Sequence, residues 1–165
     1  MSDWHDELEF ALLPLEDAKI ASDCLTFVIS NALSEQGIFH QCRIGYAEDR
    51  LSRMATAPHC WIELEQGWCI DLRLRQWLGD EDDLPHGVFQ PSNYPRVRYQ
   101  GSALLVPNLG LEDLMVMTND FYDKVKMPWL FEQVRAVQSG LMLGKTCIFS
   151  GSGSLEVKSY RGLKP

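Results

Sequence analysis

His59-Cys60-Trp61-Ile62-Glu63-Leu64-Glu65-Gln66-Gly67-Trp68-Cys69-Ile70-Asp71-Leu72 is the stretch on which the reading of the chain turns. Two short runs rich in aromatic and β-branched residues, 59–64 and 68–72, flank Glu65-Gln66-Gly67, with a glycine available for a left-handed turn position. A three-residue loop sets the register: Leu64 faces Trp68, Trp61 faces Asp71, and His59 lies diagonally from Asp71 on one sheet face. A two-residue loop would put His59 and Asp71 on opposite faces, so the parity of this hairpin is critical. In the expected register the Asp71 carboxylate holds one imidazole nitrogen of His59 and leaves the other free.

Upstream, Ser22-Asp23 offers N-cap chemistry to a helix running from Cys24 to Gln36, with Gly37 as its C′ residue. Leu25, Val28, Ile29 and Leu33 fall on one face of it. Free amides and the positive end of the helix dipole favour the thiolate of a cysteine at such a start, and the same amides can stabilise an oxyanion. Cys24 as nucleophile, His59 as base and Asp71 as the group that orients it make up the arrangement that thiol chemistry requires. Trp61, on the His59 face, would shield the His–Asp pair from water or serve as a core aromatic.

Further strands are expected at 39–46, 94–99 and 102–106, the last two interrupted by Gly101, with a polar loop over 47–57 and an acidic, solvated loop over 80–85. Residues 14–21 read as a short helical turn, 111–126 and 128–143 as helices, and Ser150-Gly-Ser-Gly-Ser154 as a flexible tip or linker. The sum is a mixed α+β chain, read as a single domain over 1–165 with its core at 15–106 and a C-terminal helical extension and tail at 107–165.

At 165 residues, 45% hydrophobic and 23% charged, the chain can bury a core without disulfide or metal. A net charge of −8 and a pI near 4.9 oppose binding to nucleic acid or to an anionic membrane surface. The first residues lack the features of a signal peptide and no apolar run is long enough to span a bilayer, so a cytoplasmic location is expected. Cysteines 24, 42, 60, 69 and 147 form no Cys-x-x-Cys motif and are expected to be thiols. A zinc site drawn from Cys42, His59, Cys60 and Cys69 is the weaker reading, because the adjacent His59 and Cys60 point to opposite faces of a strand; no metal or other cofactor is expected. His86 reads as a loop histidine, His5 and His40 show no partner signal, and Arg73 and Arg75 read as solvent-facing charge or as an anion contact.

Ser22-Asp23-Cys24, His59-Cys60-Trp61-Ile62-Glu63 and the run from Gly67 to Trp77 resemble the core of the transglutaminase-like branch of the papain-type cysteine hydrolase superfamily. There a helix-borne cysteine precedes a strand with His-x-Trp and a partner strand with Asp, often followed by a Gln-aromatic pair, here Gln76-Trp77. The resemblance covers roughly residues 18–77. It departs at Leu25, where the family often has an aromatic, and at Arg73, where it often has a threonine near the Asp. It implies a papain-like, transglutaminase-like fold with the nucleophile helix on an antiparallel sheet. It also implies cysteine-dependent acyl transfer on a peptide or protein substrate, by a peptidase or amidase working through a thioester at Cys24, with Trp61 and Gln76 supporting substrate binding. The contrasting expectation is a non-catalytic binding or inhibitor protein that keeps the scaffold.

Overall fold

The computed structural model describes residues 3–125 and two further strands at 146–149 and 155–158. These residues form an α+β structure with four helices and a five-stranded antiparallel sheet. In chain order the elements are α1 (Asp3–Leu12), α2 (Ser22–Glu35), β1 (His40–Asp49), β2 (Ala55–Leu64), β3 (Cys69–Asp71), α3 (Leu74–Leu78), β4 (Gly87–Phe89), β5 (Val97–Ala103) and α4 (Leu111–Thr118). The strands lie in the order β4-β3-β2-β1-β5. Strands β6 (Thr146–Phe149) and β7 (Leu155–Lys158) pair with each other. The expected helix at 128–143 and the tail at 150–154 lie outside the described residues.

The central hairpin has the register its loop predicts. Ile62 pairs with Ile70 and Glu63 with Cys69, and the Leu64 N–H donates to the Trp68 carbonyl at 2.8 Å. Gln66 and Gly67 take the left-handed turn positions. Strand pleating then divides β2 between the two faces of the sheet. Cys60, Ile62 and Leu64 face one way; His59, Trp61 and Glu63 face the other.

On the first face, Leu25, Val28, Ile29 and Leu33 of α2 pack with Ile62, Leu64 and Ile70 in the main core. Helix α1 adds Leu8 and Leu12 to that core. Two side chains pin α1 in place. The His5 ring stacks between Trp4 and Trp68, with centroids 3.8 Å from each. The Glu9 carboxylate accepts the Val88 N–H at 3.1 Å, covering the free edge that β4 would otherwise present. Gly87 has φ +76° and permits this approach, since a Cβ there would lie 2.7 Å from the Glu9 carboxyl carbon.

Three expectations are corrected. Residues 47–57 are not a loop: β1 continues to Asp49 and β2 begins at Ala55, because the Asp49 side chain organises a tight turn between them. Its carboxylate is fully enclosed and accepts the Leu51 and Ser52 amides at 2.9 and 3.3 Å and two guanidinium nitrogens of Arg96 at 2.8 Å each. The two expected strands around Gly101 are one strand, β5, since Gly101 lies directly opposite Gly45 of β1 and brings the backbones close. The helix expected over 111–126 ends at Thr118, where Asn119 and Asp120 turn left-handed and a short turn at Phe121–Lys124 follows.

Arg96, whose hydrogen bonds lead the causes, holds the Asp49 carboxyl well below the usual carboxylate range, with smaller support from Ser52 and Leu51 against the opposing effect of burial. A carboxylate whose folded pKa lies below its unfolded value adds stability that is complete above the unfolded pKa and is lost as pH falls through the folded one. Urea midpoints of the parent should therefore decline as pH drops below about 4, while those of Asp49→Asn, lower at neutral pH, should change less over the same range.

Candidate active site

The His59–Asp71 pair forms as the hairpin register requires. His59 Nε2 lies 2.6 Å from Asp71 Oδ2, and both side chains are enclosed, His59 with 0% exposure. Asp71 does more than orient the ring. Its Oδ2 also accepts the Tyr99 hydroxyl at 2.9 Å, and its Oδ1 accepts the Arg73 and Leu74 amides at 2.9 and 3.1 Å, which starts α3. The carboxylate thus joins β2, β3, β5 and α3 at one buried point. The Tyr99 hydroxyl is pushed well above its ordinary pKa, first by burial and then by the Asp71 charge, so Tyr99 stays a neutral donor.

An aromatic layer covers the pair. Trp61 lies 6.3 Å from His59 and 5.1 Å from Tyr99, centroid to centroid, and Phe89 lies 6.1 Å from Tyr99. Trp61, Cys69 and Phe89 form the core of this second face. Trp61 belongs to this core, and the imidazole beside it is wholly enclosed.

Cys24 is not brought to this pair. Helix α2 packs on the sheet face carrying Cys60 and Ile62, whereas His59 and Asp71 lie on the opposite face. His59 Nδ1, the nitrogen left over for a thiol, is buried with no hydrogen-bond partner. Between the start of α2 and the sheet, a void of about 10 Å³ lined by Thr26, Cys60 and Asp71 has room for one water and no substrate.

The local structure around Cys24 also differs from expectation. Helix α2 starts at Ser22, with Ala21 at the cap position and no side-chain cap, and Asp23 instead accepts the Cys24 N–H at 2.8 Å. Burial raises the Cys24 thiol pKa, and the adjoining Asp23 charge and hydrogen bond raise it further. Burial likewise pushes Cys42 and Cys60 up to about 11 and Cys69 up to about 12. Cys24, Cys42, Cys60 and Cys69 are free, with thiols shifted toward the protonated form.

Gln76 is exposed on α3, and Trp77 beside it is 63% exposed. Arg73 and Arg75 are not solvent-facing charges. Arg73 is buried and donates from Nη1 and Nη2 to the Glu16 and Ala18 carbonyls, tying the segment ahead of α2 to the sheet. Arg75 donates to the Leu84 carbonyl from Nε and Nη2. His86 Nε2 lies 2.5 Å from the Glu16 carboxylate, and His40 lies 2.7 Å from both the Ser30 hydroxyl and the Ile38 carbonyl. Among the described residues no group of three His, Cys, Asp or Glu side chains is placed to hold a metal, and no helix is long and apolar enough to cross a membrane.

Tyr99 is the member of the buried network that sequence reasoning missed. Its place opposite Ala47 depends on the β1–β5 register, which a strand broken at Gly101 would not have. The chain matches no protein-family model, and no curated protein and no solved structure matches it.

Proposed function

We propose that this chain is a non-catalytic binding protein on a transglutaminase-like scaffold, in which His59 and Asp71 serve the structure and carry no acid–base chemistry. One observation carries the reading: the imidazole is wholly enclosed on the sheet face opposite the helix that bears Cys24. A general base must reach the proton it abstracts, directly or through one water. The raised Cys24 pKa argues the same way, since a nucleophilic thiol is activated by a neighbouring base or a lowered pKa.

The rival reading, a cysteine peptidase or amidase acting through a thioester at Cys24, rests on the 2.6 Å His59–Asp71 contact in the expected register. Alkylation separates the two. Iodoacetamide labelling across pH, read by peptide mass spectrometry, should find no thiol reacting below the ordinary range near 8.5, and the Cys24 rate should be the same in His59→Gln. A Cys24 thiolate that persists at pH 6 and disappears in His59→Gln would establish the hydrolase instead.

A further inference from the structure

We infer that the outer edge of β5 is an interface at which two copies of this chain join, antiparallel and edge to edge, into one continuous sheet. The inference goes beyond the binding role proposed above and holds whether or not Cys24 is reactive.

The two edges of the sheet differ. Strand β4 is three residues long, and its edge is closed by Glu9 of α1. Strand β5 runs for seven residues, and among the described residues its outer side pairs with no strand. Exposed edges of this length are ordinarily blunted by proline, lysine or a bulge. Strand β5 has neither proline nor lysine, its register on β1 is unbroken from Val97 to Ala103, and Arg98 is its one charged side chain.

The outward peptide groups are fixed from both ends of the strand. The Arg50 N–H donates to the Arg96 carbonyl at 2.9 Å, and the Leu104 N–H to the Cys42 carbonyl at 2.8 Å. Even-numbered residues from 96 to 104 therefore bond to β1, and Val97, Tyr99, Gly101 and Ala103 turn outward. The Val97 N–H is already given to the Tyr94 carbonyl at 3.1 Å, which leaves Tyr99, Gly101 and Ala103.

These three are symmetric about Gly101, and that symmetry selects the occupant. A two-fold axis at Gly101 sets this residue opposite its own copy and Tyr99 opposite Ala103 of the second chain, so every free N–H meets a free carbonyl. Side chains agree with the register. Exposed Gln100 falls opposite exposed Ser102, a pair able to hydrogen-bond, and the small Ala103 leaves room beside Tyr99. Arg98 falls opposite Leu104, so no like charges face each other. The net charge of −8 is carried elsewhere, since no acidic residue occurs between Leu84 and Leu111. Leu105, 92% exposed, follows directly after the strand and lies at the rim of the interface. Seven residues span roughly 23 Å, which makes a small interface, below about 1,200 Å², and a reversible dimer.

Sedimentation velocity over a concentration series of the full chain is the test. The parent should run as a monomer–dimer mixture whose dimer fraction rises with salt, because screening weakens repulsion between two acidic copies and leaves backbone bonds intact. Ala103→Pro removes an outward N–H and none of the bonds to β1, so far-ultraviolet circular dichroism should hold while the dissociation constant rises about tenfold or more. Gln100→Glu with Ser102→Glu sets like charges opposite each other and should weaken association about tenfold, whereas Gln100→Lys with Ser102→Glu should restore it. The two charge variants decide the matter if Ala103→Pro unfolds. A monomer at every concentration overturns the interface. So does a dimer that a folded Ala103→Pro leaves intact, one that salt dissolves, or one that both charge variants weaken equally.

Discussion

Asp71→Ala is expected to lower folding stability by about 3–5 kcal/mol, the range seen when one partner of a buried, hydrogen-bonded charged network is removed. The substitution takes away the acceptor for four donors at once: the His59 ring, the Tyr99 hydroxyl, and the Arg73 and Leu74 amides. Buried donors left without partners keep their full desolvation cost, and His59, Arg73 and Leu74 are all buried residues. Tyr99→Phe is the graded comparison, because it removes a single hydrogen bond and should cost about 1 kcal/mol. Urea unfolding with tryptophan fluorescence would measure both, the Asp71→Ala midpoint falling several times further. The sign also bears on function. Residues kept for catalysis are often held at a cost to stability, so truncation at an active site is commonly neutral or stabilising. A stability gain in Asp71→Ala would favour catalysis and count against a structural role for the His59–Asp71 pair.

The second large effect is expected at the crossing of β1 and β5. An added Cβ at Gly45 would lie 2.0 Å from the Gln100 carbonyl oxygen and 2.5 Å from the Gly101 Cα. One at Gly101 would lie 2.3 Å from the Ile44 carbonyl oxygen and 2.7 Å from Trp61 Cη2. Most of these neighbours are backbone atoms of a paired strand, which cannot rotate away as a side chain can. Gly45→Ala should therefore force the strands apart and cost about 3 kcal/mol, the upper end of ordinary overpacking. Gly101→Ala should cost a similar amount and also change the near-ultraviolet circular dichroism of Trp61. Gly37→Ala is the control: φ is +68° but nothing lies within 4 Å of the added carbon, so the loss should be about 1 kcal/mol from backbone strain alone. Equal losses at Gly37 and Gly45 would mean that the close approach of the strands has no energetic weight.

Local chemistry was enough to read the central hairpin. Three residues between two apolar runs, with glycine last, set its register, and the register by itself puts His59 beside Asp71. The helix read at 24–36, which starts two residues earlier at Ser22, is legible for the same reason, since Leu25, Val28, Ile29 and Leu33 repeat on a helical period that burial rewards. Which sheet face that helix covers is a different kind of question. Pleating puts neighbouring residues of one strand on opposite faces, so Cys60 and His59 are equally plausible neighbours for Cys24 until the helix has chosen a side. Long-range packing made that choice, through Ile62, Leu64 and Ile70 meeting α2 while Trp61, Phe89 and Tyr99 closed over the imidazole. Arg73, Arg96 and Tyr99 illustrate the same limit, because each side chain has its hydrogen-bond partners thirteen or more residues away in sequence. Spacing along the chain thus determined the hairpin, the helix and the His–Asp contact, while contacts between distant segments decided that the imidazole faces a closed core.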